Sequence, residues 1–235
     1  IDLDPKRKTG ISSTREECNE ADKCSERIRR YLEGELLFPH PIKAFSGNAF
    51  SGCGSLVKIT VDADSKNYKA VGSAIYSADG KTFVIAGNKN TTSLIVADGA
   101  EVIKANAFEL AKNVAEISLP ATLKEIQGNA LDNTAWFKNA NGLVYAGKIL
   151  YKVKGAIANV VVEEGTVAIA DNAVNNPAVT TVLLPKSLVK IGDNAFAGSS
   201  VVAVAIPENV KYIGVGAFKD VKALKTLTIA DGVET

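Results

Sequence analysis

Few residues of this 235-residue chain are of types that do chemistry. His40, between Pro39 and Pro41, is the only histidine, and the cysteines are Cys18, Cys24 and Cys53. Cys53 and His40 are the one nucleophile and base that can be paired, since such groups need only meet in space. No third group is placed to orient the imidazole, so the pair is read as non-catalytic. Cys18 and Cys24 stand about 9 Å apart along a helix axis, beyond the roughly 7 Å reach of a disulfide, and read as packed thiols. One histidine with scattered cysteines does not supply the closely spaced ligands that zinc takes. Asp62 and Asp64 have calcium-loop spacing, but Lys66 follows where a third oxygen is needed and no glycine comes after it. The chain is therefore expected to carry no catalytic residue, no cofactor and no metal. Asn90-Thr91-Thr92 is a glycosylation sequon, relevant only along a eukaryotic secretory route.

The chemistry-poor inventory shifts attention to what the elements build. Hydrophobic residues make up 46% of the chain and the formal charge is +1, so a sizeable core is available and nothing draws the molecule to nucleic acid or anionic lipid. The longest apolar runs, such as Val201 to Ile206, are far too short to span a bilayer, so no membrane insertion is expected. There is no methionine, and the sequence opens on a polar IDLDPKRKTG, which reads as a processed piece of a longer protein.

Self-similarity organises the rest. An Ile-x-x-x-Ala anchor recurs as IKANAF, IQGNAL, IADNAV, IGDNAF and IGVGAF, ending at Phe108, Leu131, Val174, Phe196 and Phe218, with FSGNAF at Phe50 as a variant. Three of the spacings are 22 or 23 residues. Upstream of the anchors lie short alternating runs, among them AEISLP, TTVLLP and VAVAIP, whose period of two reads as strand. One such strand cannot bury its own apolar face. Stacked in register, the strands form a parallel ladder with a continuous core, in which Ile103, Ile126, Ile169, Ile191 and Ile213 are expected to be buried in one column. The Asn before the anchor alanine is expected to cap a short turn of helix. Trp136 and Phe137 are expected to be buried, as core area in a chain with few aromatics.

Two longer spacings contain GSAIYSADGKTFVIAG, residues 72–87, and NGLVYAGKILYKVKG, residues 141–155, each read as a β-hairpin riding on the solenoid. The N-terminal stretch differs. Ser13 and Glu16 make a capping box, Gly34 is a stop, and Cys18, Ala21, Cys24, Ile28, Tyr31 and Leu32 share one helical face. The domain reading is thus a polar N-terminus and capping helix over 1–34, covering the first coil, and a solenoid over 35–235. At the other end TIADGVET aligns with IVADGAEV, so the parent chain is expected to continue past Thr235 or to meet another molecule end to end.

The recurring I-x-x-x-AF anchor, the L-x-x-I-x-LP-x-x-L-x-x-I line at Val114 to Ile126 and Val179 to Ile191, and the YSADGKTFVIAG insert together resemble the BspA-like leucine-rich-repeat family. The resemblance runs from about residue 35 to the end. It implies an α/β solenoid, a right-handed leucine-rich-repeat superhelix, on secreted or cell-surface bacterial proteins that contact host or neighbouring-cell molecules, and no catalytic site. It also implies that Cys53, after the AF pair, is a buried cysteine.

The same register lists the outward face of the ladder as Lys58, Thr60, Ser93, Ile95, Glu116, Ser118, Asn159, Val161, Thr181, Leu183, Ala203, Ala205, Thr226 and Thr228. Small neutral residues dominate it, which suits a protein or glycan recognised through shape and not a phosphate backbone. The expected role is a non-catalytic binding or adhesion module, extracellular or on the cell surface. A spacer that positions another domain of a longer chain is the alternative.

Overall fold

The structure, a computed structural model, describes residues 34–38, 47–51, 53, 56–61 and 64–233, with residues 34–38, 47 and 48 described by backbone alone. The capping helix expected over 13–33, together with Cys18, Cys24, His40 and Asp62, lies outside the described residues. The chain divides into two compact units, Ile1–Pro120 with Ala130–Lys138, and Ala121–Asn129 with Asn139–Thr235.

In the first unit, β1 (Gly34–Phe38) runs parallel to β2 (Leu56–Val61). A meander follows, β3 (Tyr68–Val71), β4 (Ala74–Ser77) and β5 (Thr82–Ala86), each strand antiparallel to the last. The β4 to β5 turn is set locally. Ser77 Oγ donates to Asp79 Oδ1 at 2.6 Å, Lys81 N donates to the same oxygen at 3.0 Å, and Gly80 takes φ +80°. Those two donors, the Ser77 hydroxyl first, hold the Asp79 carboxyl below its usual range. Then come β6 (Ser93–Ile95), β7 (Val102–Ile103) and β8 (Glu116–Ser118), with β6 parallel to β8 and β5 parallel to β7. Phe83 and Phe108 stack with centroids 5.1 Å apart, and Tyr76 meets Phe83 edge-on at 5.2 Å.

The second unit opens with β9 (Glu125–Ile126). The short helix α1 (Ala135–Asn139), in the first unit up to Lys138, intervenes in the chain, started by Thr134, whose Oγ1 accepts from Phe137 N at 3.1 Å. Then β10 (Gly142–Ala146) pairs antiparallel with β11 (Ile149–Lys154). The rest alternates between two parallel ladders. One is made of two separate two-stranded sheets, β12 (Asn159–Val161) with β14 (Thr181–Leu183) and β16 (Ala203–Ile206) with β18 (Thr226–Ile229). The other runs from β11 through β13 (Ala168–Ile169), β15 (Lys190–Ile191) and β17 (Tyr212–Ile213). Leu150, Ile169, Ile191 and Ile213 are successive partners, the first three buried and Ile213 half-buried. Phe196 and Phe218 stack at 5.1 Å.

The sequence read residues 72–87 and 141–155 as appendages, but β5 and β11 are themselves rungs, each paired antiparallel on one edge and parallel on the other.

The α/β expectation is corrected to a β-solenoid. Among the described residues the helices are a 3-10 turn at Gly47–Phe50 and the five-residue α1. Asn106, Asn172 and Asn194 have φ of 56°, 55° and 51°, and Gly216, which replaces Asn, has 66°. Asparagine stands at these anchors because it tolerates the left-handed conformation, not as the expected helix cap. A left-handed residue interrupts helical φ and ψ, so these four anchors remain turns; in IQGNAL the left-handed residue is Gly128, at φ 49°, and FSGNAF forms the 3-10 turn instead. Two glycines in the same loops answer to packing. A Cβ on Gly192 would lie 2.5 Å from Asp171 Oδ1, and one on Gly214 would run into Asp193 N.

Trp136 and Phe137 are both half-buried on α1, which corrects the expectation of full burial. A five-residue helix of which no residue is fully buried offers only one side to the core.

Candidate functional site

Of the ladder positions that the sequence assigned to the outward face, all but Thr60 are exposed. In the first unit Ser93 and Ile95 stand beside Glu116 and Ser118, all exposed around the buried Leu94 and half-buried Ile117. Lys58 is exposed and Thr60 half-buried on β2. In the second unit Asn159 pairs with Thr181 and Val161 with Leu183, and Ala203 and Ala205 pair with Thr226 and Thr228. All eight of these are exposed, with Val160, Val182 and Val204 buried between them. Between the two pairs, Val202 N, just before β16, donates to Thr180 O, just before β14, at 3.2 Å. Three outward side chains are large apolar groups in solvent, Ile95 at 78% exposure, Val161 at 61% and Leu183 at 65%. The eight outward positions of the second unit hold no charged residue. Thr181 Oγ1 donates to Asn159 Oδ1 at 2.6 Å, so even the polar pair is partly satisfied within the face.

Cys53 is a buried thiol, outside any disulfide, in a cluster with Phe50, Leu56 and Ile59, the packed cysteine that the resemblance implied. Among the described residues no group of three or more His, Cys, Asp or Glu side chains is arranged to hold a metal, and no helix is long and apolar enough to cross a membrane.

Several polar groups hold the rungs together and were not singled out in the sequence. Asp171 Oδ1 accepts from Asp193 N at 2.9 Å and its Oδ2 from Gly128 N at 2.9 Å, while Asp193 Oδ1 accepts from Val215 N at 2.8 Å. The signal was present as an Asp before Asn in two successive anchors, IADNAV and IGDNAF. Glu125 pairs with Lys190, whose ammonium also lies 4.8 Å from the Tyr212 ring centroid. Tyr76 and Tyr145, one in each hairpin, accept from Ala97 N and Glu163 N, both at 2.9 Å. Burial raises both phenols above their ordinary pKa, against the lowering effect of the hydrogen bond each accepts.

The profile of the BspA type leucine rich repeat region matches residues 81–141 and 146–235 in six copies, more than half of the chain. The chain belongs to this family. Repeat solenoids of the BspA type are typically non-enzymatic. Among solved structures the chain is similar to a leucine rich cell surface protein from Faecalibacterium prausnitzii, at 21% identity and TM-score 0.33 over 86% of this chain and 40% of that one. It is also similar to a leucine-rich repeat protein from Eubacterium ventriosum, at 16% identity and TM-score 0.44 over 79% and 58%. A third is the pneumococcal vaccine antigen PcpA, at 18% identity and TM-score 0.33 over 85% and 39%. The chain thus spans 39% to 58% of the length of these three proteins. No curated protein matches it.

Proposed function

We infer that this chain is a non-catalytic binding or adhesion module of a cell-surface or secreted bacterial protein, contacting a protein or glycan through the outward ladder face. The observation that carries the reading is the pair of adjacent, solvent-exposed apolar residues Val161 and Leu183 on a face whose eight outward positions in the second unit are uncharged. A rung needs its inward residues for the core, whereas its outward residues are free to vary. Large aliphatic groups held there in water are the kind of surface that a partner covers. Membership of the BspA type repeat family supports the same reading.

The test is binding of the full chain to immobilised matrix proteins and to a glycan array, with Val161→Asp and Leu183→Asp variants in parallel. Binding lost in both variants at unchanged melting temperature supports the reading. Binding that both variants retain overturns it.

A further inference from the structure

We propose that the ladder face of the second unit takes an amphipathic helix of a partner protein, its apolar stripe along Val161, Leu183 and Ala205 and its cationic flank toward the C-terminal ends of the strands. The proposal rests on the binding reading above and names the class of partner.

The first argument is the backbone. A peptide can add to a ladder only at an end strand, whereas the apolar column crosses the faces of successive strands. An extended segment laid on that face would set its own N–H and C=O groups against aliphatic side chains, where they would lose water and gain no partner. A helix closes its own hydrogen bonds and offers side chains alone. Column and helix also match in spacing. Rungs repeat at about 4.8 Å and helical turns at about 5.4 Å, so residues at i, i+3 or i+4, and i+7 stay within about 1 Å of three successive rungs. Val161 and Leu183 are knobs, and Ala205 is the small position beside them into which a larger partner side chain fits.

The second argument is charge. The exposed residues just past the strand ends, next to the apolar column, include the carboxylates of Glu163, Glu164, Glu208 and Asp231 against Lys186 and Lys211. Lys211 Nζ donates to the Gly232 carbonyl at 3.2 Å, which holds part of its capacity on the backbone. At the other ends of the strands, the last rung carries the exposed Lys222 and Lys225. The rim past the strand ends is therefore net acidic, while the exposed lysines at the opposite ends are confined to the last rung, and this orients a helix with its cations toward the carboxylates.

The third argument is composition, since large aliphatic groups stand beside small and uncharged ones on this face. An aromatic platform for sugar rings is missing from these eight positions.

The probes are two eighteen-residue helical peptides with leucine at i, i+3, i+4 and i+7, one with lysine and one with glutamate on the flanks, titrated against the full chain. The lysine peptide is expected to bind at least tenfold more tightly. Leu183→Asp is expected to weaken it at least fivefold, and the Glu163→Lys/Glu208→Lys double variant to remove its advantage over the glutamate peptide. Equal affinity of the two peptides, or lysine-peptide binding indifferent to Leu183→Asp, overturns the proposal. A concentration-dependent dimer of the wild-type chain, abolished by Leu183→Asp, overturns it in favour of a second copy. If matrix-protein or glycan capture depends on Val161 and Leu183 while neither peptide binds, the helical occupant is wrong and the binding face stands. Capture and peptide binding both indifferent to those residues remove the two readings together.

Discussion

Asp193 shows how a single side chain ties one coil to the next, its Oδ1 accepting from Val215 N at 2.8 Å in the coil that follows. Asp193→Ala leaves that N–H without its protein acceptor, and a loss of about 1–2 kcal/mol is expected in urea unfolding. Asp193→Asn keeps an acceptor oxygen and is expected to lose less than half as much. One position on, Asn194 sits at φ 51°. Asn194→Gly is expected to stay within about 0.5 kcal/mol of wild type, while Asn194→Ala costs on the order of 1 kcal/mol, because only alanine resists the left-handed region there. Equal effects of the two substitutions would refute the conformational account of the anchor asparagine. The recurrence of Asn was legible in the sequence and its role was not, since a cap and a left-handed residue draw on the same residue type.

At the scale of the element, each hairpin strand β4 and β10 is pinned by one tyrosine to the loop after a ladder strand, Tyr76 to Ala97 and Tyr145 to Glu163. Burial raises both phenols, so the folded chain keeps their protons at pH values where the unfolded chain releases them. Below the ordinary value of about 10 both states are protonated and the contribution is whole; it is lost as pH rises through the folded values. Urea midpoints followed from about pH 9 to about pH 11 are expected to fall more steeply in the wild type than in a Tyr76→Phe/Tyr145→Phe variant. At neutral pH that variant leaves two N–H groups without their phenol acceptors and is expected to be less stable by about 1 kcal/mol per site. The close pattern of the two segments was readable as IYSADGK and VYAGK. That both second strands are rungs was not, because a local turn signal carries no information about which edge a strand will find.

Across the whole molecule the two sides of a rung predict opposite outcomes for one chemical change. Leu183→Asp, on the outward face, is expected to alter the unfolding free energy by no more than about 0.5 kcal/mol and to act on binding. Ile191→Asp, at a fully buried position, sets an unpaired carboxylate in the core and is expected to prevent folding, as circular dichroism and solubility will report. A large destabilisation by Leu183→Asp would mean that the outward face is structural.

The repeat period, the inward and outward alternation and the family were determined by the sequence alone, because a strand that must bury every second residue and repeat every 22 residues writes both periods into residue type. That logic places Ile103, Ile126, Ile169 and Ile191 in the core and Ile95, Val161 and Leu183 on the surface, where the structure has them. Only the tertiary structure decided the rest. The absence of a helical layer among the described residues follows from left-handed φ at the anchors, the Glu125 to Lys190 pair joins residues 65 apart, and the acidic rim comes from loops of successive coils. Each of these depends on distances between coils, and such distances are set by how the rungs stack, not by any residue's own neighbours in the chain.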